Sequence, residues 1–119
     1  IRLVNAGTSE AAKDIAFQVA NSPLVKTAFF GEDLNWGRIM AAIGKTEHEI
    51  DSDVIDIFIN SIMIVQHGCA TGLASRAAAL LKEREFTVTI DLHHGCASAE
   101  VGTTDLSIDY VKINSAYPT

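Results

Sequence analysis

The segment Gly31-Glu32-Asp33-Leu34-Asn35-Trp36-Gly37-Arg38 separates two apolar runs in the first half of the chain. The run before it covers Leu24 to Phe30, and the run after it covers Ile39 to Ile43. Glycine on each side allows the backbone to turn sharply or to approach another group closely. Two acids, an amide and a tryptophan between those glycines, with an arginine directly after them, are more varied than solubility requires.

This segment admits two interpretations. It can be a plain connection between helices, in which Asp33 or Asn35 caps the second helix and Trp36 packs in the core. It can also be a polar turn on a rigid scaffold, which is where binding residues concentrate. The residues of the segment leave both interpretations open.

Composition narrows the class of protein. A chain of 119 residues is long enough for one domain with an apolar core. Its net charge of −6 and its lack of basic clusters argue against nucleic acid as a partner. No apolar run approaches the ~20 residues that cross a membrane, and no signal peptide is evident. The chain begins with Ile1 rather than Met, so we expect a processed, trimmed or partial chain.

The first half predicts one strand followed by helices. The run from Ile1 to Asn5 favours a strand, and Thr8 or Ser9 can cap the helix that follows it. That helix has one buried stripe at the spacing i, i+3, i+4, i+7, formed by Ala12, Ile15, Ala16 and Val19. A second helix begins after Asn21-Ser22-Pro23.

A third helix is expected from Trp36 to Ile43, with Gly44 as its C-cap. The next strand alternates along its length, with apolar positions at Ile55, Ile57 and Ile59. Asn60-Ser61 then turns the chain into a return strand over Ile62 to Val65. Thr71 can cap a short helix, one side of which comprises Leu73, Ala77, Leu80 and Leu81.

Two more strands follow, over Glu85 to Asp91 and over Ala97 to Thr104. The tail from Asp105 onward fits either a strand or a short helix. Apolar residues precede the polar ending Asn114 to Thr119, so we expect this ending to be tied down. The whole pattern predicts an α+β fold over residues 1–119, with a mostly antiparallel sheet packed with helices.

A short repeat raises the question of metal binding. His67-Gly68-Cys69-Ala70 recurs as His94-Gly95-Cys96-Ala97. Histidine and cysteine are zinc ligands, and two such pairs could complete a tetrahedral site. However, both copies come where strands end, and the spacing is unusual for zinc, so two coincidental turns are the simpler interpretation. Two cysteines in a chain without secretory signs indicate reduced thiols in a cytosolic protein.

The chain resembles the ornithine acetyltransferase family, the bifunctional glutamate N-acetyltransferases of arginine biosynthesis. The matching runs are Asn21 to Ala28, Gly31 to Arg38 and Asp109 to Tyr117, and the resemblance extends over essentially the whole chain. One departure is Leu34, where the family usually has proline, and we expect it to loosen the turn slightly.

The resemblance implies an activity. Family members transfer an acetyl group from N-acetylornithine to glutamate through an acyl-threonine intermediate, and some also use acetyl-CoA as donor. The threonine is freed when the precursor cleaves itself. This chain matches only the C-terminal part of the resulting β-chain, so the resemblance implies that it holds no catalytic residue and is inactive alone. Expected partners are the α-chain and the rest of the β-chain, in a cytoplasmic hetero-oligomer without a cofactor or metal.

The resemblance also assigns three substrate-binding residues. Glu32 matches the family's ligand-binding glutamate, and a carboxylate suits the α-amino group of an amino-acid substrate. Asn114 and Thr119 match the family's C-terminal substrate contacts. Arg38 and Asp33 are expected to be structural. Two alternatives stay open: a non-catalytic interaction or oligomerisation domain, and a zinc-binding domain built on the His-Gly-Cys runs.

Overall fold

The computed structural model describes residues 1–83 and 85–103. The helices are α1 (Ser9–Ala20), α2 (Pro23–Phe30), α3 (Trp36–Gly44) and α4 (Ala74–Ala77), with 3₁₀ turns at Ser52–Val54 and Ala78–Lys82. The strands are β1 (Arg2–Ala6), β2 (Asp56–Ile59), β3 (Ile62–Gln66), β4 (Cys69–Ala70), β5 (Val88–Asp91) and β6 (Ala97–Glu100).

The strands form one six-stranded sheet in the order β4-β3-β2-β5-β1-β6. Every neighbouring pair is antiparallel except β1 and β5, which run parallel. The helices and this sheet confirm the predicted α+β class with a mostly antiparallel sheet. None of the helices in the described part of the chain has the length and apolar character that a membrane crossing requires.

Helix α1 confirms the predicted stripe. Thr8 is its N-cap and accepts a hydrogen bond from the amide of Ala11 at 3.0 Å. The predicted stripe residues Ala12, Ile15, Ala16 and Val19 are all fully buried. The helix packs against β1 and β6, the last two strands at one side of the sheet. This burial, rather than helix propensity, holds α1 in place.

The middle of the sheet is a row of apolar side chains. Leu3 on β1 pairs with Ile90 on β5, and Ile90 pairs with Ile57 on β2. All three residues are fully buried. The predicted alternation of β2 is therefore correct for its apolar face. Asp56, on the opposite face of β2, is also buried, with an exposed fraction of 6%, which the alternation did not anticipate.

Several predicted boundaries were wrong. Thr71 does not cap α4: Leu73 occupies the N-cap position without a side-chain cap, and the Thr71 hydroxyl donates to the carbonyl of Met63. Gly44 is the last residue of α3, and Lys45 is the C-cap in a right-handed conformation. The last two described strands are also shorter than predicted. At Thr71 the reason is a tertiary hydrogen bond that the local pattern does not reveal, and the ends of elements are the part of a fold that sequence patterns define least sharply.

The two His-Gly-Cys runs are turns, as the simpler interpretation held, and their cysteines are far apart. Cys69 begins β4 at one edge of the sheet, while Cys96 immediately precedes β6 at the opposite edge. Five strand spacings of about 4.8 Å separate these edges, so the two cysteines cannot share a metal. Within residues 1–83 and 85–103, no group of three His, Cys, Asp or Glu side chains could hold a metal ion.

Glycine in each run is required by close backbone contact. A Cβ atom at Gly68 would lie 2.4 Å from the carbonyl oxygen of Ser52, and one at Gly95 would lie 2.5 Å from that of Ala6. Real Cβ atoms essentially never approach backbone oxygen so closely. The repeat therefore reflects two sites of tight packing between a turn and a neighbouring segment.

Gly95→Ala should lower the free energy of unfolding by about 1–3 kcal/mol, the usual range for overpacking. Gly102→Ala is the matched control, since a Cβ at Gly102 meets no atom within 4 Å. Urea denaturation of both variants measures the difference. Equal stability of the two variants would contradict the close contact at Gly95.

Candidate functional site

Helix α2 leads into the turn that carries Glu32. Ser22 is the N-cap and accepts from the amide of Val25 at 3.3 Å, and Pro23 occupies the first helical position. The helix ends in a Schellman motif: the Asp33 amide donates to the carbonyl of Ala28 at 2.8 Å, and the Glu32 amide donates to that of Phe29 at 3.0 Å. Glu32 thus occupies the position after the C-cap.

Glu32 adopts a left-handed backbone conformation, with φ of 56°. This position of a Schellman motif is usually glycine, which has no Cβ to clash with the following carbonyl. The neighbouring glycine is not used in this way, because Gly31 has φ of −81°. Gly31 therefore does not use the conformational freedom noted for it, and the carboxylate-bearing residue itself takes the strained conformation.

Glu32 differs in residue type from the other residues that have left-handed backbone. In the described part of the chain, the non-glycine residues with positive φ are Asn5, Glu32, Asn60, His67 and His93. Asparagine and histidine are enriched in this region of φ/ψ space. Glutamate has no such preference, so Glu32 is the member of this set whose identity the backbone does not explain.

The rest of the turn is firmly held. Leu34 is 7% exposed and belongs to the apolar core. Asn35 is the N-cap of α3, and its Oδ1 accepts from the amide of Arg38 at 3.1 Å. Of the two caps that the sequence allowed, Asp33 and Asn35, the structure uses Asn35. Trp36 is partly buried and packs against the core, as the helix-connection interpretation expected.

Arg38 ties α3 back to α2. Its guanidinium Nη1 donates to the carbonyl of Leu24 at 2.9 Å, which agrees with the structural role expected for Arg38. Glu32 and Asp33 are exposed on the surface of the turn. The turn therefore presents two carboxylates on a backbone fixed by a helix end, a buried leucine and a helix cap. Asn114 and Thr119, the other predicted substrate contacts, lie outside the described residues.

A second polar cluster, which the sequence analysis missed, lies at one end of the sheet. Asp56 Oδ2 lies 2.7 Å from His93 Nε2, and Asp56 Oδ1 accepts from the His67 amide at 2.8 Å. Asp91 Oδ1 accepts from Asn5 Nδ2 and from the His93 amide, each at 2.9 Å. The sequence does show an aspartate at one end of each alternating segment, Asp56 and Asp91. Only the strand register shows that these two aspartates lie opposite each other.

Electrostatics in this cluster favour a charged pair. Burial opposes ionisation of Asp56, but hydrogen bonds from the His67 amide and the His93 ring outweigh it and hold the pKa of the Asp56 carboxyl below its ordinary value. The hydrogen bond to Asp56 raises the pKa of His93, and the nearby charge of Asp91 adds to this effect. The pair thus ties the Nε2 side of the His93 ring to the buried carboxylate.

Comparison with known proteins agrees with the resemblance. The model of the ArgJ family matches residues 1–119. The arginine biosynthesis bifunctional protein ArgJ of Syntrophotalea carbinolica is 51% identical over 110 residues, which cover 91% of this chain and 28% of that protein. The protein of the same name from Desulfotalea psychrophila is 50% identical over 119 residues, covering 98% of this chain and 30% of that protein.

A solved structure matches as well. The crystal structure of the arginine biosynthesis bifunctional protein ArgJ from Bacillus halodurans superimposes with a TM-score of 0.89 at 37% identity, covering 98% of this chain and 55% of that chain. The chain thus spans less than a third of the length of the curated relatives cited above. Because the family model covers every residue and the fold agrees, the chain belongs to the ArgJ family.

Proposed function

We propose that this chain is part of an ornithine acetyltransferase of arginine biosynthesis, in which it supplies one wall of the amino-acid binding site. The left-handed conformation of Glu32 is the observation that carries the proposal. A strained residue whose identity the backbone does not require is retained most simply because its side chain is needed. Family membership suggests what the side chain binds.

The proposed reaction has two steps. A threonine hydroxyl, in a part of the enzyme that this chain does not include, attacks the acetyl carbonyl of N-acetylornithine. The bond to the α-nitrogen of ornithine breaks, and an acyl-threonine forms. The α-amine of glutamate then attacks this ester and releases the threonine. Acetyl-CoA is a second acetyl donor in this proposal.

Glu32 would act on the amine in these steps. A carboxylate accepts a charge-assisted hydrogen bond from an ammonium group. The α-nitrogen of glutamate gains positive charge as it attacks, and the α-nitrogen of ornithine carries such charge as it leaves. An acceptor fixed in advance at that nitrogen stabilises the charge where it develops. Asn114 and Thr119 would complete the site by orienting the substrate carboxylate or the acyl amide.

The proposal also covers the polypeptides with which this chain assembles. Residues 1–119 form the C-terminal part of a β-chain that follows self-cleavage of a precursor. They pair with the α-chain and the rest of the β-chain in a cytoplasmic hetero-oligomer, and the chain alone is inactive. The rigid turn supports this division of labour, because an exposed carboxylate on a fixed scaffold is suited to binding rather than to covalent chemistry.

Replacing Glu32 by glycine tests the backbone strain through stability. Glu32→Gly in the 119-residue chain should raise the free energy of unfolding by about 1 kcal/mol, because glycine relieves the left-handed strain. Glu32→Ala keeps a Cβ atom and should give no such gain. Urea denaturation of the two variants and the parent chain measures both effects. A glycine variant no more stable than the alanine variant would contradict the strain argument.

The second prediction concerns activity. In the complete enzyme, Glu32→Gln should reduce kcat/KM for acetyl transfer by about 10- to 100-fold, the worth of a charged hydrogen bond of about 1.5–3 kcal/mol. Asp33→Asn is the matched control, since it neutralises the adjacent exposed carboxylate of the same turn. Its kcat/KM should stay within about twofold of the parent enzyme.

Two other outcomes of the assay are informative. Equal losses in the Glu32 and Asp33 variants would assign the effect to the general charge of the turn. Unchanged kcat and KM in Glu32→Gln would show that Glu32 does not bind the substrate. A complete parent enzyme that transfers no acetyl group between N-acetylornithine and glutamate would contradict the proposed reaction and favour the alternative of an interaction domain.

A further inference from the structure

Strand register places two carboxylates directly opposite each other at one end of the sheet. Asp56 begins β2, Asp91 ends β5, and the two residues are partners in this antiparallel pair. Like charges at directly opposite positions destabilise a sheet. Asp56 is also buried, so its charge is poorly solvated. This arrangement needs a cation or a set of donors between the two strands.

His93 lies within ion-pair distance of both carboxylates. Its ring Nε2 lies 2.7 Å from Asp56 Oδ2, and its ring Nδ1 lies 3.5 Å from Asp91 Oδ1. In the protonated ring both nitrogens carry hydrogen, whereas a neutral ring directs one lone pair outward. The two distances allow a protonated His93 to contact both carboxylates at once, through Nε2 and Nδ1.

The same cluster holds three separate segments. Asn5, at the end of β1, donates through Nδ2 to Asp91 at 2.9 Å. His67, in the turn between β3 and β4, donates through its amide to Asp56 at 2.8 Å, and its ring centroid lies 6.4 Å from that of His93. Among the described residues, Asp56, Asp91 and His67 are thus the titratable groups that face His93, and Asn5 is neutral.

Backbone conformation marks the cluster as strained. Asn5, His67 and His93 have φ values of 57°, 50° and 49°. Such conformations persist where surrounding contacts over-determine them. Here the contacts are those to Asp56 and Asp91, which accept from the amides of His67 and His93. Weakening the charged contacts should therefore loosen all three positions together.

We propose that protonated His93 is a pH-sensitive clamp that bridges Asp56 and Asp91, and that its deprotonation loosens the turn at His67 and the end of β1. The clamp is independent of the proposed acetyl transfer. It lies in a different part of the chain from Glu32 and uses none of the residues assigned to the substrate.

The direction of the pH effect follows from the two ionisations. The pKa of His93 is raised above its ordinary value of 6.5. The stability that His93 adds is therefore complete below pH 6.5 and is lost as the pH rises through the folded pKa. The pKa of Asp56 is lowered from 3.8, so the stability that Asp56 adds is present above pH 3.8 and is lost only as the pH falls through the folded pKa. The clamp is therefore closed between about pH 4 and 6.5 and opens as the pH rises through the folded pKa of His93.

Nuclear magnetic resonance of the unmodified chain tests the clamp directly. The ring signals of His93 are followed from pH 5 to pH 9, together with the backbone amide signals of Asn5 and His67. We expect His93 to titrate above the ordinary histidine value of about 6.5, with the two amide signals moving at the same midpoint. A His93 titration at or below that value, or amide signals that do not follow it, would overturn the proposal.

Unfolding measurements add a matched pair of variants. His93→Asn keeps a residue that tolerates left-handed backbone but removes the titrating ring. The parent chain should lose stability from pH 6 to pH 8, and this variant should lose most of that dependence. His48→Gln is the control, because it removes a different pair, in which His48 Nε2 lies 2.8 Å from Asp14 Oδ2.

His48→Gln should lose less of the pH dependence than His93→Asn, because Asp14 is far more exposed than Asp56. Full pH dependence retained in His93→Asn, or an equal loss in the two variants, would contradict the clamp. If His93→Asn does not fold, Asp91→Asn gives the second readout. Removing that carboxylate should lower the His93 titration midpoint measured by resonance, and an unchanged midpoint would show that Asp91 is not part of the bridge.

Discussion

Pairing of β5 with both β1 and β2 is the constraint on which the rest of the structure depends. It brings Leu3, Ile90 and Ile57 into one fully buried row across the middle of the sheet. Burying one such side chain stabilises the fold by about 1.5–3 kcal/mol. A one-residue shift of β5 would move its apolar residues to the other face, so this row determines the register.

The same register produces the polar cluster. Once Ile57 faces Ile90, the preceding residue of β2 must face the following residue of β5, and these are Asp56 and Asp91. The cost of placing two carboxylates together is offset by His93, by Asn5 and by the amide of His67. Apolar packing and charge balance are thus consequences of one alignment rather than independent features of the sheet.

The connection between α2 and α3 combines rigidity with a strained residue. Its ends are held by a Schellman motif and by the Asn35 cap, and Leu34 anchors its middle in the core. Glutamate rather than glycine occupies the left-handed position. The two interpretations of the segment are therefore compatible, because it is a well-capped helix connection that also presents an exposed carboxylate.

The sequence by itself determined the α+β class, the buried stripe of α1, the apolar face of β2 and both His-Gly-Cys turns. These follow from periodicity, capping residues and glycine, which act over a few neighbouring positions. The family resemblance pointed to Glu32, which the residues alone did not single out from its neighbours in the turn.

Tertiary structure alone decided the parallel pairing of β1 with β5 and the meeting of Asp56 with His93. That contact joins residues 37 positions apart, and no local pattern encodes it. The Thr71 hydroxyl likewise donates to the carbonyl of Met63 in a neighbouring strand and does not cap α4. Local preferences select the elements, and long-range burial and charge neutralisation select how they meet.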